Sequence, residues 1–393
     1  MRLLFIADGR SPIALNWIQY FVDQGYAVHL VSTYDCSPDL ALTTLNILPA
    51  AFSQAAGSGN EPSRALGGLR GKLPAHLRTS VRQRLAPYTL PKAAKRLFEV
   101  IEQIRPDLVH AMRIPYEGML AALAEIKEPL LVSVWGNDFT LHAPSTGRMG
   151  KYTRLTLQRA DALHTDCYRD VRLAAAWGFP SERPHVVLPG GGGIRLDLFN
   201  PGVHPDDSES ENLPDTVINP RGMRAYVRND IFFQAIPQVL SRRPNTRFIC
   251  PNMASEVQAE RWVDEFNLKS SVSLLPHQTP TQMAALYRQA KVVVSPSTHD
   301  GTPNTLLEAM ACGCFPVVGD IESLREWITP GVNGLLVDTG DPDGIADAVT
   351  LALQQDDLRS RAEKINQRLV AERADYRLVM KQAEDFYRSI VIG

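Results

Sequence analysis

Short apolar runs of strand length alternate along this chain with stretches in which apolar residues recur every three or four positions. In the first half the runs occupy residues 3–7, 27–32, 107–111, 130–134, 162–165 and 186–189, and in the second half 217–219, 247–250, 272–275, 292–295, 316–318 and 335–338. Between them the periodicity predicts helices such as 13–24, closed by Gly25, and 92–105, stopped by Pro106. A run that is apolar at successive positions is buried on both faces, so the alternation predicts parallel sheets covered by helices on either side. The fold class is α/β, with two doubly wound domains.

The segment 201–214 is acidic, polar and bracketed by prolines, which marks it as an interdomain linker. It divides the chain into a first domain at 1–200 and a second at 215–375, with a last helical segment at 376–393. A second stretch, 53–64, is rich in Gly, Ser and Ala and reads as a loop leaving the first domain. A length of 393 residues suits two domains, and 44% apolar with 21% charged residues is ordinary globular usage. No run of eighteen apolar residues is present, and the apolar stretch after Met1 is too short for a signal peptide. Five cysteines without Cys-x-x-Cys spacing suggest neither a disulfide framework nor a zinc ribbon, so a reducing cytoplasm is the expected location.

A net charge of −2 gives no global field for nucleic acid. The halves differ, however: residues 1–200 carry 22 Lys/Arg against 17 Asp/Glu, and the remainder is net acidic. Nine cations and no acid fall between Arg64 and Arg96, beside a stripe of Leu69, Leu73, Leu77, Val81 and Leu85. This pattern fits either an ordinary surface helix or peripheral contact with the anionic inner face of a membrane.

The chemistry concentrates between Val294 and Gly313. A strand ends, a loop carrying His299, Asp300 and Gly301 follows, and a helix is predicted with Thr302 at its N-cap and Pro303 at its first position. Free backbone N–H groups around Asn304, Thr305 and Leu306, beyond the carboxyl end of a parallel strand, would form a phosphate site. Glu308, a turn further on, is placed to accept hydrogen bonds from a ribose diol. The same segment is also readable as a capped helix with solvated acids.

Asp300, seven residues, Glu308 and then Ala309-Met310-Ala311-Cys312-Gly313-Cys314-Phe315-Pro316-Val317-Val318 resembles the donor-binding signature of retaining family 4 glycosyltransferases. The first acid is Asp where the family has Glu, and one residue is extra before the proline. The resemblance continues through residues 322–328 and 331–337. It implies a GT-B fold, in which two Rossmann-like domains face each other across a cleft and the last helix crosses back to the first domain. It also implies transfer of a sugar from a nucleotide diphosphate donor, most simply a UDP-sugar, to an acceptor hydroxyl of a carbohydrate or lipid-linked glycoconjugate. No cofactor beyond that substrate is implied, and no metal. By the resemblance Glu308 holds the ribose, Asp300 touches the donor sugar and Arg221 neutralises the diphosphate. The family's Lys is absent, so Arg224 or Arg228 replaces it or the second cation is missing. The Asp341-Pro342-Asp343 spacing is explained as a helix-capping turn rather than a metal motif.

In the first domain, Gly9 stands after the first strand, where relatives place a loop near the donor phosphates. Asp138 matches an acid of the family's His-Gly-x-Asp stretch, with Trp135 at the His position. Asp138 is therefore expected either to touch donor or acceptor hydroxyls or to cap a turn, and Trp135 to be a core aromatic. His29, His110, His164 and His185 lie in apolar strand contexts and are expected to be hydrogen-bonded core imidazoles. The alternative to a working transferase is a nucleotide-sugar-binding scaffold or regulatory subunit that has lost transfer. A sugar-nucleotide epimerase fits the signature less well.

Overall fold

The computed structural model describes residues 1–50, 81–202, 215–224 and 226–392. The loop expected at 53–64, most of the expected linker at 201–214 and the greater part of the basic segment lie outside them. The chain forms two compact units. One comprises Met1–Gly193 with the last helix from Leu378, and the other Ile194–Arg377.

The first unit is built on a seven-stranded parallel sheet: β1 (Arg2–Ala7), β2 (Ala27–Ser32), β3 (Thr44–Ile47), β4 (Leu108–Ala111), β5 (Leu130–Val134), β6 (Ala162–Thr165) and β7 (His185–Val187), in the order β3-β2-β1-β4-β5-β6-β7. Strand β3, which no apolar run announces, is an edge strand with Leu45 and Ile47 exposed. Helix α1 (Pro12–Asp23) follows from a Ser11 cap, Pro12 at its start, and Ala14, Trp17, Ile18 and Phe21 buried on one face. The second unit holds β8 (Thr216–Ile218), β9 (Arg247–Cys250), β10 (Val272–Leu274), β11 (Val292–Ser295), β12 (Phe315–Gly319) and β13 (Leu335–Val337), in the order β10-β9-β8-β11-β12-β13. Both are Rossmann-like, and each sheet reverses its winding at the first strand of its unit.

The boundary differs from the one expected at residue 200. The Ile194 amide donates to the Ala374 carbonyl at 2.7 Å, Tyr376 N–H returns a bond to the Ile194 carbonyl, and Ile194 and Phe199 are buried in the core of the second unit. Residues 194–200 therefore belong to that unit, because their apolar side chains find their cover there.

The last helix completes the core of the first unit. Tyr387 stacks on Phe21 at 4.5 Å between ring centres, and it ends a hydrogen-bonded chain whose direction is fully determined. His164 Nε2 faces the Leu188 carbonyl at 2.9 Å and must donate, so its Nδ1 accepts from Ser133 Oγ at 2.8 Å. Ser133 then accepts from His110 Nε2 at 2.7 Å, leaving His110 Nδ1 to accept from the Tyr387 hydroxyl at 2.5 Å, which itself accepts from Trp17 Nε1. Both imidazoles are neutral: burial pushes His110 well below the ordinary range and His164 down to about 4. They are core histidines, as their strand contexts suggested.

Tyr387→Phe strands the His110 acceptor and the Trp17 donor in the core. Denaturant unfolding is expected to show a loss of about 1–3 kcal/mol. A loss below roughly 0.5 kcal/mol, the range of surface substitutions, would contradict the chain.

Candidate functional site

In the second unit the winding reverses between β8 and β11, and the loops leaving their carboxyl ends lie side by side. Such a reversal opens a crevice in which ligands of doubly wound sheets bind. Buried Asn219 shapes the first loop: its Nδ2 donates to Asn229 Oδ1 at 2.9 Å, and Asn229 Nδ2 donates to the Gly222 carbonyl at 2.8 Å. Gly222 has φ +62°, which a side chain would disfavour. The second loop is tied to the first through Thr298, whose N–H and hydroxyl both donate to the Tyr226 carbonyl, and Ser323 Oγ donates to the Asp300 carbonyl.

These ties bring Arg221 and Asp300 together. Arg221 Nη2 donates to Asp300 Oδ2 at 2.7 Å and Nη1 to Thr305 Oγ1 at 3.2 Å, with side chains 11% and 14% exposed. Burial works against the Arg221 charge, and Asp300 together with the neighbouring Tyr226 and Tyr287 more than offsets it. Arg221 Nε is buried without a hydrogen-bond partner. Glu308 lies on the helix Asn304–Ala311, where it accepts from the Tyr287 hydroxyl at 3.3 Å. Burial pushes its carboxyl up to about 7 against the pull of that bond and of Arg221. The site is thus a partly buried guanidinium, a carboxylate paired with it, and a second carboxyl poised near neutrality.

Several expectations need correction. Thr302 does not cap the helix: its hydroxyl accepts from Trp327 Nε1 at 3.0 Å, and extended Pro303 precedes a helix that begins one residue later than expected. The Leu306 amide is not free, since it donates to the Pro303 carbonyl at 3.0 Å and closes the first turn. The amides of Asn304 and Thr305 remain open to a ligand. Arg228 is held in bidentate contact by Asp230 at 3.0 Å and is therefore neutralised locally. Arg224 is exposed and has no ion pair among the described residues. His299 lies half-buried in the loop beside Asp300. Sequence reading missed Asn219, Asn229, Tyr287 and Ser323, whose roles arise from loop closure rather than from any local pattern.

Gly9 and Asp138 lie in the first unit. A side chain at Gly9 would stand 2.4 Å from Cys36 Sγ and 2.9 Å from Ser32 Oγ, so glycine is needed for packing. Asp138 is fully buried with both oxygens engaged: Oδ1 pairs with Arg113 at 2.6 Å, and Oδ2 accepts from the Ile114 and Trp135 amides. Its oxygens therefore tie the chain around Ile114 and Trp135 to Arg113 and position that loop. Trp135 is half-buried and lines a pocket of about 200 Å³ at the carboxyl ends of β1 and β4, instead of filling the core. This pocket occupies the winding reversal of the first sheet.

Asp341 accepts from the Asp343 amide at the start of the helix Pro342–Gln354 and serves as its cap. Among the described residues Asp166, Cys167 and Asp170 lie close enough for a metal, but Arg169 is ion-paired with Asp170 at 2.8 Å and supplies positive charge there. Of the basic segment, Val81, Leu85 and Tyr88 are exposed near the exposed cations Arg84, Lys92 and Lys95.

Residues 9–190 match the glycosyl transferase 4-like domain, and residues 209–369 the glycosyl transferases group 1 domain. The chain is similar to the D-inositol 3-phosphate glycosyltransferase of Corynebacterium urealyticum, at 33% identity over 33% of this chain and 31% of that protein. It is also similar to the one from Acidothermus cellulolyticus, at 25% identity over 60% of this chain and 54% of that protein. The matches span about a third to a half of the length of these relatives. In fold it is similar to Anabaena HepE in complex with UDP and glucose, with TM-score 0.74 and 15% identity over 99% of this chain and 100% of that one. It likewise resembles the sucrose-phosphate synthase of Thermosynechococcus elongatus, with TM-score 0.75 and 16% identity over 99% of each chain.

Proposed function

Because this chain belongs to the family 4 glycosyltransferases of the GT-B fold, we propose that it moves a sugar from a UDP-sugar to an acceptor hydroxyl with retention at the anomeric carbon. The observation that carries the reading is Arg221 at the winding reversal of the second unit, held by Asp300 and Thr305 with its Nε unpartnered. A diphosphate offers acceptors to that nitrogen and to the Asn304 and Thr305 amides at the positive end of the helix Asn304–Ala311. Glu308, oriented by Tyr287, accepts from the ribose diol, and Asp300 reaches the sugar hydroxyls. The HepE structures, which hold UDP, glucose and UDP-glucose in a chain of this fold, support the choice of donor.

In the reaction the bond between the anomeric carbon and the diphosphate oxygen breaks as the acceptor oxygen bonds that carbon from the same face. The acceptor proton passes to the departing diphosphate. Arg221 and the helix amides stabilise the charge that develops on the leaving group, so no protein nucleophile, metal or further cofactor is required. Residues of the first unit hold the acceptor, and peripheral contact of the basic segment between Arg64 and Arg96 with an anionic membrane is a further part of the proposal.

UDP-sugar turnover should require an added acceptor and survive a chelator, and Arg221→Ala should lower it by about 10²–10³-fold while the fold is kept. Strict dependence on added magnesium or manganese would contradict the mechanism. Donor binding without turnover for any acceptor would favour the scaffold alternative.

An ionised Glu308 accepts from both hydroxyls of the diol, whereas protonation turns one of its oxygens into a donor and weakens the contact; its carboxyl sits at about 7 before ligand binds. UDP affinity measured by calorimetry should therefore fall as pH drops through 7, with proton release on binding above that of Glu308→Gln. That substitution should weaken UDP binding by about 1.5–3 kcal/mol and flatten the pH dependence. An unchanged affinity in Glu308→Gln would remove Glu308 from the ribose site.

A further inference from the structure

The pocket of the first unit is lined by both acids and cations, Asp8 and Glu117 on one hand and Arg82 and Arg113 on the other. Its acids are already engaged. Asp8 accepts Arg10 through both oxygens at 3.0 Å, and Glu117 accepts from Thr33 Oγ1 at 2.7 Å and from the Tyr116 amide at 2.8 Å. Arg82 is different. Its guanidinium lies 4.6 Å from the centre of the Tyr116 ring and 5.5 Å from that of Tyr34, it has no ion pair among the described residues, and its Nε is buried without a partner. Aromatic faces stabilise such a cation but give its N–H groups nothing to bond.

A second donor points the same way. Trp135 Nε1 is also buried without a partner, on a ring that Arg113 approaches to 5.2 Å. An indole N–H can only donate. Ser11 and Ala14, at the positive end of helix α1, complete this side of the lining. Two orphaned donors, one of them a full cation, call for a ligand group that only accepts and carries negative charge, because unpartnered buried donors are costly.

We infer that this pocket binds an oxyanion, a phosphate monoester or a carboxylate, carried by the molecule whose hydroxyl receives the sugar. Arg82 binds the oxyanion by charge-assisted hydrogen bonds and Trp135 contributes a neutral one. That the bound molecule is the acceptor rests on the transferase reading; that the pocket takes an oxyanion does not.

The test is calorimetric titration of the full chain with glucose 6-phosphate, glucuronate, inorganic phosphate and glucose, with UDP titrated separately. Glucose 6-phosphate or glucuronate should bind saturably and glucose at least about ten-fold more weakly, the tighter of the two anions identifying the group. Arg82→Gln should weaken the anion by about ten-fold or more, and Trp135→Phe, which keeps an aromatic ring, should weaken it by less. UDP affinity should be unaltered in both, which also verifies that they fold. Glucose binding as tightly as its charged counterparts would overturn the inference. So would full anion affinity in both variants, or failure of all four probes on a chain that binds UDP. If the anions bind as expected while UDP does not, the oxyanion site stands and the transferase reading falls.

Discussion

A parallel sheet that winds in both directions from its first strand must leave a gap where the two windings begin. The loops that follow the two central strands turn to opposite faces of the sheet, and nothing covers the strand ends between them. The constraint acts twice in this chain. In the second unit it juxtaposes residues 219–224 and 226–230 with 298–308, and in the first it opens the pocket reached from β1 and β4. Every functional group proposed above is carried on or beside one of these loops, so the strand order decides where chemistry can occur before any side chain is chosen.

Within each gap, side chains divide according to whether their charge is already compensated. Asp138, Glu117 and Asp8 have their oxygens engaged by donors of the protein itself, which makes them parts of the framework. Arg221, Arg82 and Trp135 keep a buried donor open. Leaving a buried donor unmade is expensive in a folded chain, and such groups persist where a ligand completes them. Glu308 belongs with them in another way, since burial holds its carboxyl near 7 and a ligand that donates to it restores its charge.

Much of this was legible in the sequence, for physical reasons that differ from one element to the next. Strands such as β5 and β11 are buried on both faces and leave continuous apolar runs, whereas edge strand β3, half exposed, leaves none. Asp300 and Glu308 could be named because they sit in a local motif at fixed spacing, and Arg221 through what the family resemblance implies. The engagement of Leu306 with Pro303 depends on one turn of backbone geometry, and the saturation of Asp138 on Arg113 twenty-five residues away, so neither is visible in a local pattern. Arg82 lay within a basic run that suggested a surface, and only the fold sets it over Tyr116 at the pocket. The end of the first unit was misplaced because residues 194–200 find their apolar cover in contacts with the far end of the chain.

The central claim, that the winding reversal of the second unit is the donor site, is tested most directly by hydrogen exchange with and without UDP-glucose. The account predicts slowed exchange concentrated in residues 219–230 and 298–308, including the amides of Asn304 and Thr305. Slowed exchange elsewhere in the chain, with these two loops unchanged, would contradict it.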